Sequence, residues 1–427
     1  MFDLSWIAGH AKTSYTHHPS PIKLTTKSGS QISLSDLAQE AIPPCRLNPL
    51  LFNGHLQTMW TAVKDAGPPI HYKRRVFQSD HEVYKGQFAV DFVAHEESPD
   101  DSNLPERTTY YSEERFSSIA SEDSKPMLVC LHGLTGGSHE VYLRQVVAPL
   151  TAVGWESCVV NARGCAMSDI TSSEMFNARA TWDVRQIVKW LRKTFPNRPL
   201  YGVGFSLGAN ILTTYVAEEG PACQLKAAVV CSNPWNLELS HHALMRSYLG
   251  AEVYSRTMCN NIQRLFARHK EQILKNPNID EQKVKSAKYL WEIDRYIQAP
   301  TWGYPSEGAY YRDATSTDAL VAIKIPFLGI NAEDDPISSV EAIPYEEFKQ
   351  NPYTVLCCTN WGGHLSWFQG GGKRWFATAV TKFFMKLQDD IDMDVSAKQA
   401  AKENSDVAPS QKYPIFDPTN RRLVLPQ

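Results

Sequence analysis

Pro199-Leu200-Tyr201-Gly202-Val203-Gly204-Phe205-Ser206-Leu207-Gly208 is the stretch on which the fold turns. Its first half is a short apolar run suited to a buried strand. Beyond it, Leu207, Ile211, Leu212, Tyr215 and Val216 recur at helical spacing. Between the two halves, Gly204-x-Ser206-x-Gly208 places a serine on a turn too tight for larger neighbours. A strand, a Gly-x-Ser-x-Gly turn and a helix in that order push the serine hydroxyl into a cleft at the cost of backbone strain.

Outward from this turn, strand and helix alternate. Upstream the sequence predicts strands near 71–78 and 87–94, a strand Met127 to Leu131, a helix Glu140 to Val153, a strand Glu156 to Val160 and a helix Ala178 to Phe195. Downstream comes a strand Ala227 to Cys231. After an interruption follow a strand Ile325 to Asn331, a helix near 340–349, a strand Tyr353 to Cys357 and a helix Arg374 to Leu387. This order predicts an α/β fold with a mostly parallel sheet and helices on both faces. The interruption, at about 232–320, reads as an inserted helical cap rich in Trp and Tyr. Its aromatic side chains either line an apolar pocket or fill the cap's own core. Residues 1–68 read as an irregular lead-in containing Pro. Residues 69–388 form the main domain, within which 95–125 reads as a polar, acidic surface loop. Residues 389–427 are a polar tail.

Composition narrows the function. The 427 residues are 43% hydrophobic and 21% charged, as expected of a globular protein with a sizeable core. A net charge of −3 gives no support for nucleic-acid binding, which calls for a basic face. No run of 18 apolar residues predicts a transmembrane helix. The opening Met1-Phe2-Asp3-Leu4-Ser5-Trp6-Ile7 has no basic leader and is too short for a secretory signal, so it reads as a loosely attached arm. Nine cysteines without a Cys-x-x-Cys pair, three of them (Cys130, Cys158, Cys231) in strand-like runs, suit a reducing, cytoplasmic setting. His241-His242 lacks further ligands nearby in sequence, so no metal site is expected.

A serine hydroxyl needs a base, and the base needs an orienting group. Two strand ends downstream supply them in the order acid, then histidine. Ala332-Glu333-Asp334-Asp335-Pro336-Ile337 offers Asp334 or Asp335. Asp335, one residue before an apolar position, is the favoured acid; Asp334 is expected to cap a helix or stand in solvent. Asn360-Trp361-Gly362-Gly363-His364 ends on the only histidine beyond residue 269. The backbone N–H of Leu207 and that of Leu134, in His132-Gly133-Leu134-Thr135-Gly136-Gly137, are the candidate donors to an oxyanion. His132 is expected to shape that loop. Gly202-x-Gly204 and Gly370-Gly371-Gly372-Lys373 lack the spacing of a dinucleotide or phosphate loop.

Several motifs resemble those of the AB hydrolase 4 family within the α/β-hydrolase superfamily. They are Gly54-His55-Leu56-Gln57-Thr58, His132 through Glu140, Asn161-Ala162-Arg163-Gly164-Cys165, the serine turn, Tyr310-Tyr311-Arg312, Asn331-Ala332 through Asp335-Pro336, and Gly362-Gly363-His364. The family includes fungal medium-chain fatty acid ethyl ester synthase/esterases. The resemblance implies an α/β-hydrolase fold with Ser206, Asp335 and His364 as charge-relay residues. It also implies a serine esterase and acyltransferase acting on medium-chain acyl esters. The alternatives are an acyl-CoA:alcohol O-acyltransferase with little hydrolysis, a glycerolipid lipase, and a non-catalytic binding protein on the same scaffold. No metal or redox cofactor is implied. Acyl-CoA would be a co-substrate, and the partners are small acyl esters, acyl-CoA or an alcohol. Some members carry an N-terminal membrane anchor; none is expected from this sequence, which leaves peripheral contact with a membrane or lipid droplet open.

Overall fold

The computed structural model describes residues 9–63, 66–96, 101–403 and 414–425. The arm at residues 1–7 therefore lies outside the described residues. Ten strands form the central sheet: β1 (Thr13–His17), β2 (His71–Gln78), β3 (Gln87–Ala94), β4 (Thr108–Tyr110), β5 (Met127–Leu131), β6 (Glu156–Asn161), β7 (Leu200–Phe205), β8 (Leu225–Cys231), β9 (Phe327–Ala332) and β10 (Thr354–Thr359). Their order across the sheet is β1-β10-β9-β8-β7-β5-β6-β3-β2-β4. The six strands from β10 to β6 run parallel, and β1, β3 and β2 join antiparallel to their inward neighbours.

The parallel strands are apolar at nearly every position because both faces are covered. Their alternation divides the core in two. Leu128, Cys130, Val203, Phe205, Val229, Cys231, Leu328 and Ile330 pack under the helices Leu34–Ala41, Val141–Ala152 and Trp375–Asp390. Met127, Val129, Leu131, Leu200, Ala228, Val230 and Phe327 pack under Trp182–Thr194 and Leu207–Glu219. The expected apolar stripe Val184, Ile187, Val188, Leu191 is the buried face of Trp182–Thr194. That helix starts four residues later than the sequence predicts. The Ala178 N–H donates to Tyr310 Oη and its carbonyl accepts from Asn210 Nδ2, so the segment before Trp182 is tied to its neighbours. The helix expected near 340–349 divides into a 3₁₀ turn, Val340–Ala342, and a helix, Tyr345–Gln350. Pro344, without an N–H, stands between them.

Between β8 and β9 the chain is helical from Leu237–Arg246 through Glu307–Ala314. Two of its turns, Gly250–Ser255 and Asp294–Gln298, are π-helical. Among the described residues no helix is long and apolar enough to cross a membrane.

Two expectations are corrected. The first 68 residues are not irregular: β1 extends the sheet, the strands Lys23–Thr25 and Gln31–Ser33 pair, and helices Leu34–Ala41 and Gly54–Trp60 follow. β1 is polar and half-buried because it lies at the sheet edge. The helix Met393–Glu403 lies on Lys23–Thr25 through a Thr25 N–H to Ser396 Oγ bond of 2.8 Å. The acidic segment 95–125 contributes β4 and the short helix Glu113–Ser117, while 97–100 lie outside the described residues.

Candidate active site

Ser206 lies between β7 and the helix Leu207–Glu219 with φ +52° and ψ −116°, a conformation that costs a non-glycine residue of order 1–3 kcal/mol. Its neighbours explain how the turn is held. A Cβ on Gly204 would stand 2.5 Å from the Gly208 carbonyl oxygen, and one on Gly208 would stand 2.5 Å from that of His132. Only glycine fits at either position, so strand, helix and the loop after β5 meet at closest approach beneath the serine. Strain gathers along this edge of the sheet. Thr135, Ala166, Met167, Ser206, Ser232, Trp235, Leu365 and Trp367 all have positive φ in the loops that follow β5, β6, β7, β8 and β10.

Three side chains from three strand ends meet here. His364 Nε2 lies 2.9 Å from Ser206 Oγ, and His364 Nδ1 lies 2.8 Å from Asp335 Oδ2 and 3.1 Å from Oδ1. An ionised carboxylate only accepts, so Nδ1 carries the proton and Nε2 is the acceptor for the serine hydroxyl. The Asp335 side chain is fully buried, and its Oδ1 also accepts from the Ile337 and Ser338 amides, both at 2.8 Å. These bonds fix the carboxylate without consuming Oδ2.

Asp334 neither caps a helix nor stands free in solvent. Its Oδ1 accepts from the Gly362 and Gly363 amides at 2.9 and 3.0 Å, which anchors the loop that carries His364. Its Oδ2 is buried without a partner among the described residues, and burial pushes the carboxyl up to about 6. Thr58 Oγ1 accepts the His364 N–H at 2.9 Å, and Gln57 Oε1 accepts the Phe368 N–H at 2.7 Å. The helix Gly54–Trp60 thus braces the same loop, and Gly54 lies so close that a Cβ there would collide with the Asp334 carbonyl. Ser232 Oγ adds an acceptor for the Leu365 N–H at 3.1 Å.

The loop after β5 borders the serine: a Cβ on Gly133 would lie 3.4 Å from Ser206 Cβ. Neither the Leu134 nor the Leu207 N–H donates to another group among the described residues, whereas Gly133 N–H is taken by Tyr142 Oη at 2.8 Å. His132 is buried. Its Nδ1 donates to the Gly133 carbonyl at 2.6 Å and its Nε2 accepts from Ala162 N–H at 3.0 Å. Burial lowers it to about 4, so it is a neutral strut of this loop. Deeper in, Asp91 on β3 takes Arg74 through two bonds of 2.6 and 2.8 Å, with both side chains fully buried. Asp91 also accepts from Ser138 Oγ (2.6 Å) and Asn161 Nδ2 (2.8 Å), which ties the loop after β5 to β3 and β6.

Sequence reasoning missed Thr58, Asp91 and Ser232 as parts of this assembly, and it offered Asp334 as the alternative acid or as a helix cap or solvent-exposed group. Thr58 fell within a quoted motif, but nothing local showed what it touches. Among the described residues no group of three or more His, Cys, Asp or Glu side chains is placed to hold a metal ion.

A serine on a strained turn, a histidine and a carboxylate at successive strand ends of a mostly parallel sheet define an α/β-hydrolase arrangement. Residues 126–360, more than half of the 427, match the family described as alpha/beta hydrolase fold, and the chain belongs to that family. It is 36% identical over 365 residues to the monoacylglycerol lipase of Saccharomyces cerevisiae, covering 80% of each chain. It is 29% identical over 420 residues to medium-chain fatty acid ethyl ester synthase/esterase 2 of the same yeast, covering 86% of this chain and 93% of that one. Among solved structures, an esterase of Pyrococcus furiosus aligns with a TM-score of 0.46 at 16% identity, over 76% of this chain and 98% of that one.

Proposed function

We propose that this protein is a serine-dependent carboxylic ester hydrolase and acyltransferase acting on medium-chain fatty acyl esters through an acyl-enzyme. The observation that carries this reading is the line from Asp335 through His364 to Ser206, with contacts of 2.8 and 2.9 Å. Ser206 Oγ attacks the ester carbonyl carbon while His364 Nε2 takes its proton. The negative charge that forms on the carbonyl oxygen is held by the Leu134 and Leu207 amides. The C–O bond to the leaving alcohol then breaks, and His364 returns the proton to that alcohol. Water or a second alcohol attacks the acyl-enzyme by the same route in reverse and frees Ser206. Asp335 keeps the Nδ1 proton in place and stabilises the imidazolium.

No metal or redox cofactor enters these steps; acyl-CoA serves as co-substrate in the synthetic direction. Leu134 and Leu207 pack against an apolar cluster that includes Cys165, Met175, Phe176 and Ile262, an environment suited to an acyl chain beside the oxyanion donors. The names of the two yeast relatives favour a lipid ester as substrate. A glycerolipid lipase is the second reading, favoured by the 36% identity to a monoacylglycerol lipase.

The test is product analysis with an acyl-CoA series and with p-nitrophenyl and monoacylglycerol esters, each with and without added alcohol. Acid release, joined by ester product when alcohol is present, and loss of both in Ser206→Ala, are expected. Turnover undiminished in that variant contradicts the reading.

A further inference from the structure

Five of the sixteen large apolar side chains that stand exposed among the described residues fall in one stretch of fourteen. They are Leu50 (80% exposed), Phe52 (52%), Met59 (39%), Trp60 (44%) and Val63 (50%). Single exposed apolar residues are ordinary, but a cluster marks a surface that is covered in use. From Leu47 to Val63 the sequence has no Asp, Glu, Lys or Arg, so no charged side chain within the run keeps it in water. The helix Gly54–Trp60 is two-faced. Gln57 and Thr58 turn inward to the Phe368 and His364 amides, while Met59 and Trp60 face out.

Cationic side chains stand near both ends of this run. Arg46 immediately precedes the run. Its carbonyl accepts from Gln369 Nε2 at 3.1 Å, which brings the turn bearing Lys373 alongside. At the far end, Arg144 donates to the Ala66 and Pro68 carbonyls at 2.9 and 2.5 Å. The chain therefore leaves the patch beside a cavity of about 770 Å³, to which the helix Arg256–Ile273 contributes Arg264 and Arg268. Glu106 and Glu140 line this cavity too, facing Arg107 at 3.2 Å and His139 at 3.8 Å. Among the described residues none of Arg46, Lys373, Arg264 and Arg268 pairs with a carboxylate. Arg264 and Arg268 are one helical turn apart; Arg264 donates to Asn261 Oδ1 at 3.4 Å and Arg268 to the Met167 carbonyl at 3.1 Å, which leaves both charges available to an anion.

We propose that Leu47–Val63 and the cationic side chains near its ends form the face by which this protein docks on an anionic lipid surface. Trp, Phe and Leu enter the boundary between headgroups and acyl chains while cations meet the negative headgroups. The choice of a lipid surface over an acidic apolar protein rests on the reading under Proposed function. A fatty acyl ester partitions into lipid, and the docking helix is the one that braces the His364 loop.

The test is co-sedimentation of the full chain with vesicles of phosphatidylcholine plus phosphatidylserine and with vesicles of phosphatidylcholine alone. Phe52→Asp/Trp60→Asp is compared with Val153→Asp/Leu239→Asp, a pair of exposed apolar positions elsewhere, and with Arg264→Glu/Arg268→Glu. The first pair is expected to weaken binding to mixed vesicles about tenfold or more, the control pair not at all, and the arginine pair only on phosphatidylserine-containing vesicles. Hydrolysis of a water-soluble short-chain ester should persist in all three, which also shows that they fold. Absence of vesicle binding by the parent protein, binding unchanged in the first pair, or a change of oligomeric state in its place overturns the proposal. If the parent protein binds vesicles through this patch but hydrolyses no ester, the fault lies with the catalytic reading and the docking face stands.

Discussion

Two ionisable side chains near Ser206 pull stability in opposite directions with pH. Asp334 has its carboxyl raised from 3.8 to about 6 by burial, so the folded state binds more protons than the unfolded one between those values. Its contribution is present at low pH and is lost as pH rises through about 6. His132 is lowered by burial from 6.5 to about 4, so its contribution is present at neutral pH and is lost as pH falls from about 6.5 to 4. The two offset each other across the shared window. Asp334→Asn removes one of them, and the melting temperature is expected to fall more steeply on acidification between pH 6 and 4 than in the parent. The added slope is at most about 1.4 kcal/mol per pH unit. Parallel curves would contradict these assignments. Thr58 belongs to the same scale. Thr58→Val deletes the acceptor for the His364 N–H, and a lost hydrogen bond of about 1–1.5 kcal/mol corresponds to roughly a tenfold fall in kcat. KM should stay unchanged and Thr58→Ser should restore the rate, which steady-state kinetics on one ester checks.

At the scale of elements, the parallel strands from β5 to β10 were legible because burial on both faces leaves near-continuous apolar runs. β1 was not. Thr13–His17 is polar, and its partner β10 lies some 340 residues away, so no local pattern marks it. The site divides in the same way. Ser206, Asp335 and His364 stand at strand ends, where sequence order nominates Ser206, His364 and an aspartate, and the apolar position that follows favours Asp335 over Asp334. Thr58 acquires its meaning only by meeting His364 across 306 residues. The role of Asp334 is not local, because its donors, the Gly362 and Gly363 amides, belong to another loop. Asp91 lies in the strand expected near 87–94, and only its partners show that it joins β2, β3, β6 and the loop after β5. Asp91→Ala leaves Arg74 buried without its counter-charge, and about 3–5 kcal/mol of stability should be lost in urea unfolding. A loss under 1 kcal/mol would show that the network carries little.

At the scale of the molecule, the helical insertion is tied to the core through the helix that follows Ser206. Asn210 Nδ2 donates to the Ala178 carbonyl at 3.0 Å and to the Ala314 carbonyl at 2.7 Å, and Tyr310 Oη meets Ala178 N–H at 2.9 Å. Tyr310, Tyr311 and Ala314 close over Ala178 as a small apolar cluster that touches Leu207. Several of the aromatic residues in the insertion thus fill its own seam. Asn210→Ala strips two buried carbonyls of their donor and is expected to cost about 2–4 kcal/mol in thermal unfolding. Leu134 and Leu207 also lie under the insertion, so the same variant should raise KM for long acyl esters more than for short ones. Equal effects on both would separate the seam from the acyl-binding side.

The central claim is that Ser206 is an activated nucleophile. Its most direct measurement is mass spectrometry of the intact protein after exposure to a fluorophosphonate, followed by peptide mapping. A single adduct on the peptide containing Ser206 is expected. Labelling should disappear in Ser206→Ala and slow by orders of magnitude in His364→Ala. Absence of an adduct, or an adduct on another residue that persists in Ser206→Ala, would contradict the account.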